Sequence, residues 1–332
     1  MNARVATALV CHRRVTSLYN CCSRLPAASL YKRAGLYKNC VPAECSRLRL
    51  RGYSLYLRPN TLVEAVHALA ASGGQILAGG TDFFPSLADR PVRGTVVDIS
   101  GLRELKGITY DEQYIRIGGL TTWTEIIKTP LPRCFDGLKA AAREIGGIQI
   151  QNRGTIAGNL CNASPAADSV PPLLALDAEV ELVSHMGVRR MPLGDFIVGN
   201  RQTQRRAGEI LSQIIVPRAV ENATSTFLKL GVRRYLVISI VMVAVVIDKD
   251  SANCIREARV SVGSCSVVAR RLNELELDLV GTPVAVGMGS LATADHLRSL
   301  SPIQDVRATA AYRRTATLHL VQRALEACAG SL

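Results

Sequence analysis

The sequence predicts an α+β fold, and three observations carry that expectation. Apolar segments of strand length and segments of helical period share the chain without the strict alternation of a doubly wound sheet. Two segments rich in glycine and other small residues, 78–82 and 146–162, interrupt that pattern. From Phe227 onward the character changes to long Val/Ile-rich strands followed by helices, which puts a domain boundary near residues 220–226.

Charge sets the first 51 residues apart. The chain carries a net charge of +13, yet ten of its 40 Lys and Arg residues and only one of its 27 acids, Glu44, lie within residues 1–51. The remaining 30 basic and 26 acidic residues leave the body at +4, with no basic face interleaved with aromatics, so nucleic acid is not expected as a partner. The tail reads either as an Arg- and Ser-containing transit peptide or as an extension without function, and it is kept out of the fold reading. Cys11, Cys21, Cys22, Cys40 and Cys45 crowd into it, while Cys134, Cys161, Cys254, Cys265 and Cys328 are scattered. No Cys-x-x-Cys pair occurs, and the five histidines form no metal or triad spacing. Reduced thiols and a cytoplasmic protein are expected, with organellar targeting by the tail left open. The longest apolar run, Leu236 to Ile247, is short of the roughly 20 residues a membrane helix needs, and its Val/Ile content suits a buried strand.

The body begins near Tyr53. Thr61-Leu62-Val63-Glu64 spells a capping box; Leu62, Val66 and Leu69 mark one helical face, which Gly73-Gly74 ends. Strands are expected at 75–78, 95–99 and 114–117. Thr122 and Glu125 open a second helix that Pro130 and Pro132 terminate. A helix over 138–145 leads into the Gly/Asn-rich segment, and a strand follows at 178–183. Beyond the boundary come strands at 236–247 and 258–263. A helix is expected to place Val268, Leu272, Leu275 and Leu279 on one face, and a last helix runs from about Ala310 to Ala327.

The chemistry is expected in the two glycine-rich turns. In the first, Ile76, Leu77, Ala78, Gly79, Gly80, Thr81, Asp82 and Phe83, a strand ends in paired glycines. Backbone N–H groups can converge there on an anion without interference from Cβ. By itself the pattern equally suits a common tight turn. The second runs from Gln151 to Ser169 and packs small residues, amides and hydroxyls closely enough to lie flat against a large polar ligand. Asp168 repels phosphate; it either accepts hydrogen bonds from ribityl or ribose hydroxyls or caps the helix that follows. Gly287-Met288-Gly289-Ser290-Leu291-Ala292 fits a dinucleotide pattern, but the 40 residues after it read mostly as helix, so no Rossmann unit is expected.

Together, Ala78-Gly79-Gly80-Thr81-Asp82 and Asn152-Arg153-Gly154-Thr155-Ile156-Ala157-Gly158-Asn159 with Ser164-Pro165-Ala166-Ala167-Asp168 resemble the FAD-binding subunit of molybdopterin-dependent dehydrogenases. That family includes the flavoprotein subunits of xanthine and carbon monoxide dehydrogenases. The resemblance covers about Tyr53 to Ala327 and includes residues 193–203, Phe227-x-Lys229 and Tyr312-Arg313-Arg314. It implies a two-part FAD-binding domain of the PCMH type at 53–222 (about 53–108 and 109–222) and a smaller C-terminal domain at 226–330, after the extension 1–52. It also implies that Ile76 to Phe83 and the turn Thr155, Ile156, Ala157, Gly158, Asn159 grip the FAD pyrophosphate. Asp168 matches the family's aspartate, and Lys229 falls where a lysine contacts the flavin, although a surface salt bridge would also place a lysine there. The family's second turn often reads Gly-Gly. Here Ala157 precedes Gly158, which is compatible with binding if that residue has ordinary backbone angles.

The resemblance further implies a [2Fe-2S] subunit and a molybdopterin subunit as partners, with electrons passing through FAD to NAD or another acceptor. No catalytic side chain and no metal ligand is expected in this chain. A self-sufficient flavin oxidase or dehydrogenase, or a flavin-free assembly component, are the alternatives.

Overall fold

The computed structural model describes residues 55–330 except Tyr235. The extension at 1–52 lies outside the described residues. The first layer is small and parallel. Strand β1 (Tyr56–Leu57), helix α1 (Leu62–Ser72), β2 (Gln75–Leu77), the short α2 (Phe83–Leu87) and β3 (Val96–Asp98) build it, with β3 between β1 and β2. Helix α1 starts where its capping residues put it. Thr61 accepts from the Glu64 amide at 3.1 Å, while the Glu64 carboxylate reaches back to the Asn60 amide at 2.8 Å. Gly73 ends it at φ +61°, its amide returning to Leu69 O. Ala65, Val66 and Leu69 bury the inner face against Val97, Ile99 and Leu102.

The second layer is an antiparallel sheet in the order β4-β5-β10-β6-β7, made of β4 (Ile108–Tyr110), β5 (Tyr114–Gly118), β6 (Glu179–Ser184), β7 (Gly187–Pro192) and β10 (Ile210–Pro217). Between β5 and β6 the chain runs through α3 (Trp123–Lys128), α4 (Asp136–Glu144), α5 (Ile148–Gln151), α6 (Ile156–Asn162) and α7 (Val170–Ala175). Helix α3 carries the complete reciprocal capping box of Thr122 and Glu125. Between β7 and β10 lie α8 (Leu193–Phe196) and the hairpin β8 (Ile197–Gly199)–β9 (Gln202–Thr203).

The third layer, β11 (Thr224–Leu230), β12 (Val241–Lys249), β13 (Ile255–Gly263) and β14 (Arg270–Arg271), is antiparallel in chain order. It is followed by α9 (Asn273–Leu279) and the long α10 (Ala310–Gly330). The unbroken apolar run of β12 has a structural reason. Side chains alternate across a strand, and here each face meets a different core. Met242, Ala244 and Val246 join the core that holds Trp123 and Phe135, whereas Val241, Val243, Val245 and Ile247 join Leu320, Val321 and Leu325 of α10.

Two expected elements are corrected. The apolar run becomes a strand only at Val241, because Leu236 takes φ +51° and the segment before 241 turns, with Leu236 and Ile238 exposed. The helix expected to include Val268 is only Asn273–Leu279. Arg270 and Arg271 pair instead with Val262 and Ser261 as β14.

Helix α10 is fastened by a buried cation. Arg313, 2% exposed, donates to Ile240 O at 2.5 Å and to Ser264 O at 3.2 Å, and its Nη2 meets Asp305 Oδ1 at 2.8 Å. Partial burial alone would raise the Asp305 carboxyl, but the Arg307 amide and the Arg313 guanidinium overcome it and hold it at about 2. A carboxyl lowered by folding adds stability above its unfolded value, roughly 3.9, that is lost as pH falls toward the folded one. Asp305→Asn is therefore expected to cost about 1 kcal/mol at pH 7, since solvent screens this partly exposed carboxylate. The gap to wild type should close between about pH 4 and pH 2, as thermal melts across that range would show.

Candidate cofactor site

The site grows from two backbone turns that touch. Strand β2 ends at Leu77 and the chain turns through Gly79 and Gly80, the latter at φ +80°. A Cβ on Gly79 would stand 2.0 Å from the carbonyl oxygen of Arg153 and 2.8 Å from its carbon, so the first turn packs on the second with no room for a side chain. The second turn is held from beneath by the end of β5. Trp123 N donates to Gly154 O at 3.3 Å, Ile156 N to Thr121 O at 3.0 Å and Ala157 N to Gly119 O at 3.1 Å. Thr155 caps α6 by accepting from Gly158 N at 3.1 Å. Ala157 lies inside that helix with negative φ, so the alanine strains nothing.

Both turns line one cleft of about 480 Å³, a volume suited to a small-molecule ligand. Ile76, Ala78, Gly79, Gly80, Thr81, Asp82 and Phe83 line it from the first turn, and Thr155, Ala157, Gly158 and Asn159 from the second. Leu77 and Ile156 do not line it; both are buried in the hydrophobic cores beneath. Among the described residues, no protein acceptor meets the amides of Gly79, Gly80 and Thr81, which leaves three adjacent donors at the cleft wall. A polar strap joins the turns: Asn162 Nδ2 donates to Asp82 Oδ1 at 3.0 Å, and Arg201 Nη1 donates to Asn162 Oδ1. Trp123, Ile150, Ile210 and Leu211 supply apolar wall.

Asp168 and Lys229 pair with each other beside the site. Neither lines the cleft. Lys229 Nζ meets Asp168 Oδ2 at 2.6 Å and Ser239 Oγ donates to Asp168 Oδ1 at 2.5 Å, with both charged side chains 7% exposed. Two opposite charges withdrawn from water pair with each other; Lys229 engages one carboxylate oxygen and Ser239 the other. Burial pushes the Asp168 carboxyl up, against the pull of Lys229 and Ser239. Ser169, not Asp168, stands at the N-cap of α7, and the ion pair is buried rather than on the surface. Lys229 lines a second hollow of about 420 Å³ with Glu144 and Val237. The glycine pattern at 287–292 is closed from within: the amides of Gly287 and Gly289 donate to the Glu326 carboxylate at 3.0 and 2.8 Å.

Residues 48–219 match the family model described as the FAD binding domain in molybdopterin dehydrogenase, and residues 226–328 match the CO dehydrogenase flavoprotein C-terminal domain. The chain belongs to the FAD-binding subunits of molybdopterin dehydrogenases. This flavoprotein is 35% identical to the nicotinate dehydrogenase FAD-subunit of Eubacterium barkeri over 70% of its own length and 81% of that protein. It is 32% identical to the putative xanthine dehydrogenase FAD-binding subunit of Escherichia coli K12 over 84% of its length and 99% of that protein. Its fold matches a chain of carbon monoxide dehydrogenase from Hydrogenophaga pseudoflava with a TM-score of 0.76 at 27% identity, covering 82% of this chain and 96% of that one. The flavoprotein is thus an oxidoreductase subunit with FAD as its cofactor. The cleft fits that group: a diphosphate needs donors at close backbone approach, and three amides and side-chain-free glycines offer them. Arg201, Arg205 and Asn162 also line the cleft. Sequence reasoning assigned them no role: Arg201 and Arg205 are remote in sequence from either turn, and Asn162, though inside the second segment, has no spacing that sets it apart from its neighbours.

Proposed function

We propose that this subunit holds the FAD diphosphate between its two glycine turns and relays electrons from a [2Fe-2S] partner, itself served by a molybdopterin partner, to NAD or another acceptor. The observation that carries the binding site is the contact of the turns: Gly79 lies against Arg153 O, so amides 79–81 and the start of α6 open on the same cleft. Gly79, Gly80 and Thr81 would donate to the diphosphate. Thr155, Gly158 and Asn159 would form the facing wall, with Asp82 fixed by Asn162 so that its charge stays off the phosphates. The group when bound supplies storage for two electrons that arrive singly. The chain's residues bind and orient it and keep its inner end from water with Trp123, Ile150 and Leu211.

The need for partners is supported by composition. The sequence contains no Cys-x-x-Cys pair to ligate a cluster, and among the described residues no group of three His, Cys, Asp or Glu side chains could hold a metal. The test is purification from the native source under mild conditions. A yellow protein with one FAD per chain, co-purifying with chains that carry iron and molybdenum, and reducing NAD only when those chains are present, is the expected result. A colourless chain without affinity for FAD, or a lone chain that oxidises organic donors, would overturn it.

A further inference from the structure

Among the described residues, the cleft is lined by one acid and two cations, Asp82, Arg201 and Arg205. Asp82 is engaged through Oδ1 with Asn162. Both arginines come from residues 200–206, around and just after the β8–β9 hairpin, remote in sequence from either glycine turn. Arg201 is held at two points, on a strained backbone. Its amide donates to Ala163 O at 2.9 Å, its Nη1 donates to Asn162 Oδ1, and its backbone sits at φ +54°, in the left-handed region that suits glycine rather than arginine. Arg205 is steadied by donation from Nη1 to Glu209 O at 3.0 Å. The turn amides offer a diphosphate only partial charges. These two guanidinium groups are the cations that line the cleft among the described residues.

We propose that Arg201 and Arg205 neutralise the cofactor's diphosphate and so select FAD over flavins that lack one. The inference rests on the reading that this cleft takes FAD, and it adds two residues that neither glycine motif contains. The strained backbone of Arg201 provides an unusual control. Arg201→Gly removes the cation while relieving the left-handed φ; because it also frees Asn162 from the strap, Arg205→Gln, which leaves the strap intact, is tested beside it.

The test uses the full-length chain stripped of flavin and titrated with FAD, FMN and riboflavin at low and high salt, with flavin fluorescence as readout. Arg201→Gly and Arg205→Gln are each expected to weaken FAD binding about tenfold, the scale of one charge-assisted hydrogen bond, and the double variant about a hundredfold. Riboflavin affinity should be unchanged. The ionic-strength dependence of FAD binding, steep in wild type, should flatten in the double variant. Arg201→Gly should melt no lower than wild type. A double variant within twofold of wild type for FAD, or one weakened equally for all three flavins, would overturn the assignment while leaving the cofactor cleft standing. Failure of the wild-type chain to take up FAD would overturn the cleft reading itself.

Discussion

Gly79→Ala is expected to leave the protein without FAD and to destabilise it by about 3 kcal/mol, the upper end of the usual range for overpacking. The added methyl carbon would stand 2.0 Å from Arg153 O, 2.8 Å from Arg153 C and 3.2 Å from Gly154 Cα. All three are backbone atoms. None can rotate aside as a side chain would, and the second turn is tied down by Trp123 N on Gly154 O and by Gly154 N on Ile150 O at 2.6 Å. The turns must therefore separate, and the cleft they share opens with them. The measurements are the flavin-to-protein absorbance ratio and the thermal midpoint of the purified variant. Gly101→Ala is the matched control, since its Cβ would meet only the Arg58 guanidinium at an ordinary 3.6 Å. It should retain FAD and melt within the small range of a surface change. A Gly79→Ala protein carrying one FAD per chain at the wild-type midpoint would falsify the contact between the turns.

What could be read from the sequence follows how local each feature is. The capping motifs at Thr61 and Thr122 each span four residues, and both helices begin where those residues predict; the box closes at Thr122, whereas Glu64 reaches Asn60 N instead of Thr61 N. The glycine turns were legible because a missing side chain is written directly in the sequence. Their mutual contact was not, since Gly79 and Arg153 meet only after β2 and the end of β5 have packed. The apolar run at 236–247 misplaced the strand start because hydrophobicity does not report the left-handed turn at Leu236. Val268 fell into helical spacing with Leu272 by coincidence; cross-strand pairing of Arg270 and Arg271 decided the local structure. The same limit applies to charge. Asp168 has no competitor for its oxygens nearby in sequence, and its partners within the chain lie 61 and 71 residues away.

That buried pair sets the second large effect. Lys229→Met is expected to cost about 3–5 kcal/mol at neutral pH, because it strands a carboxylate that only Ser239 then supports. Burial already pushes Asp168 up, and losing the lysine removes the main opposing pull. A carboxyl raised by folding contributes stability that is full below its unfolded value, roughly 3.9, and is lost as pH rises through the folded one. The variant should therefore lie nearest to wild type in acid and furthest from it at neutral pH, the same direction as Asp305→Asn although the two carboxyls are shifted oppositely. Asp168→Asn combined with Lys229→Met leaves neither charge buried and keeps an acceptor for Ser239, so most of the loss should be recovered, giving a coupling of a few kcal/mol in a double-mutant cycle. One neighbour links the pair to the cleft. Ser169, next to Asp168, donates to Asn159 Oδ1 at 2.6 Å, and Asn159 lines the cleft. Lys229→Met should thus loosen FAD retention, and the double variant should restore it together with stability. If the double variant regains stability but not FAD, the lysine or the aspartate acts on the cofactor itself, and the ion pair is then one part of a larger binding arrangement.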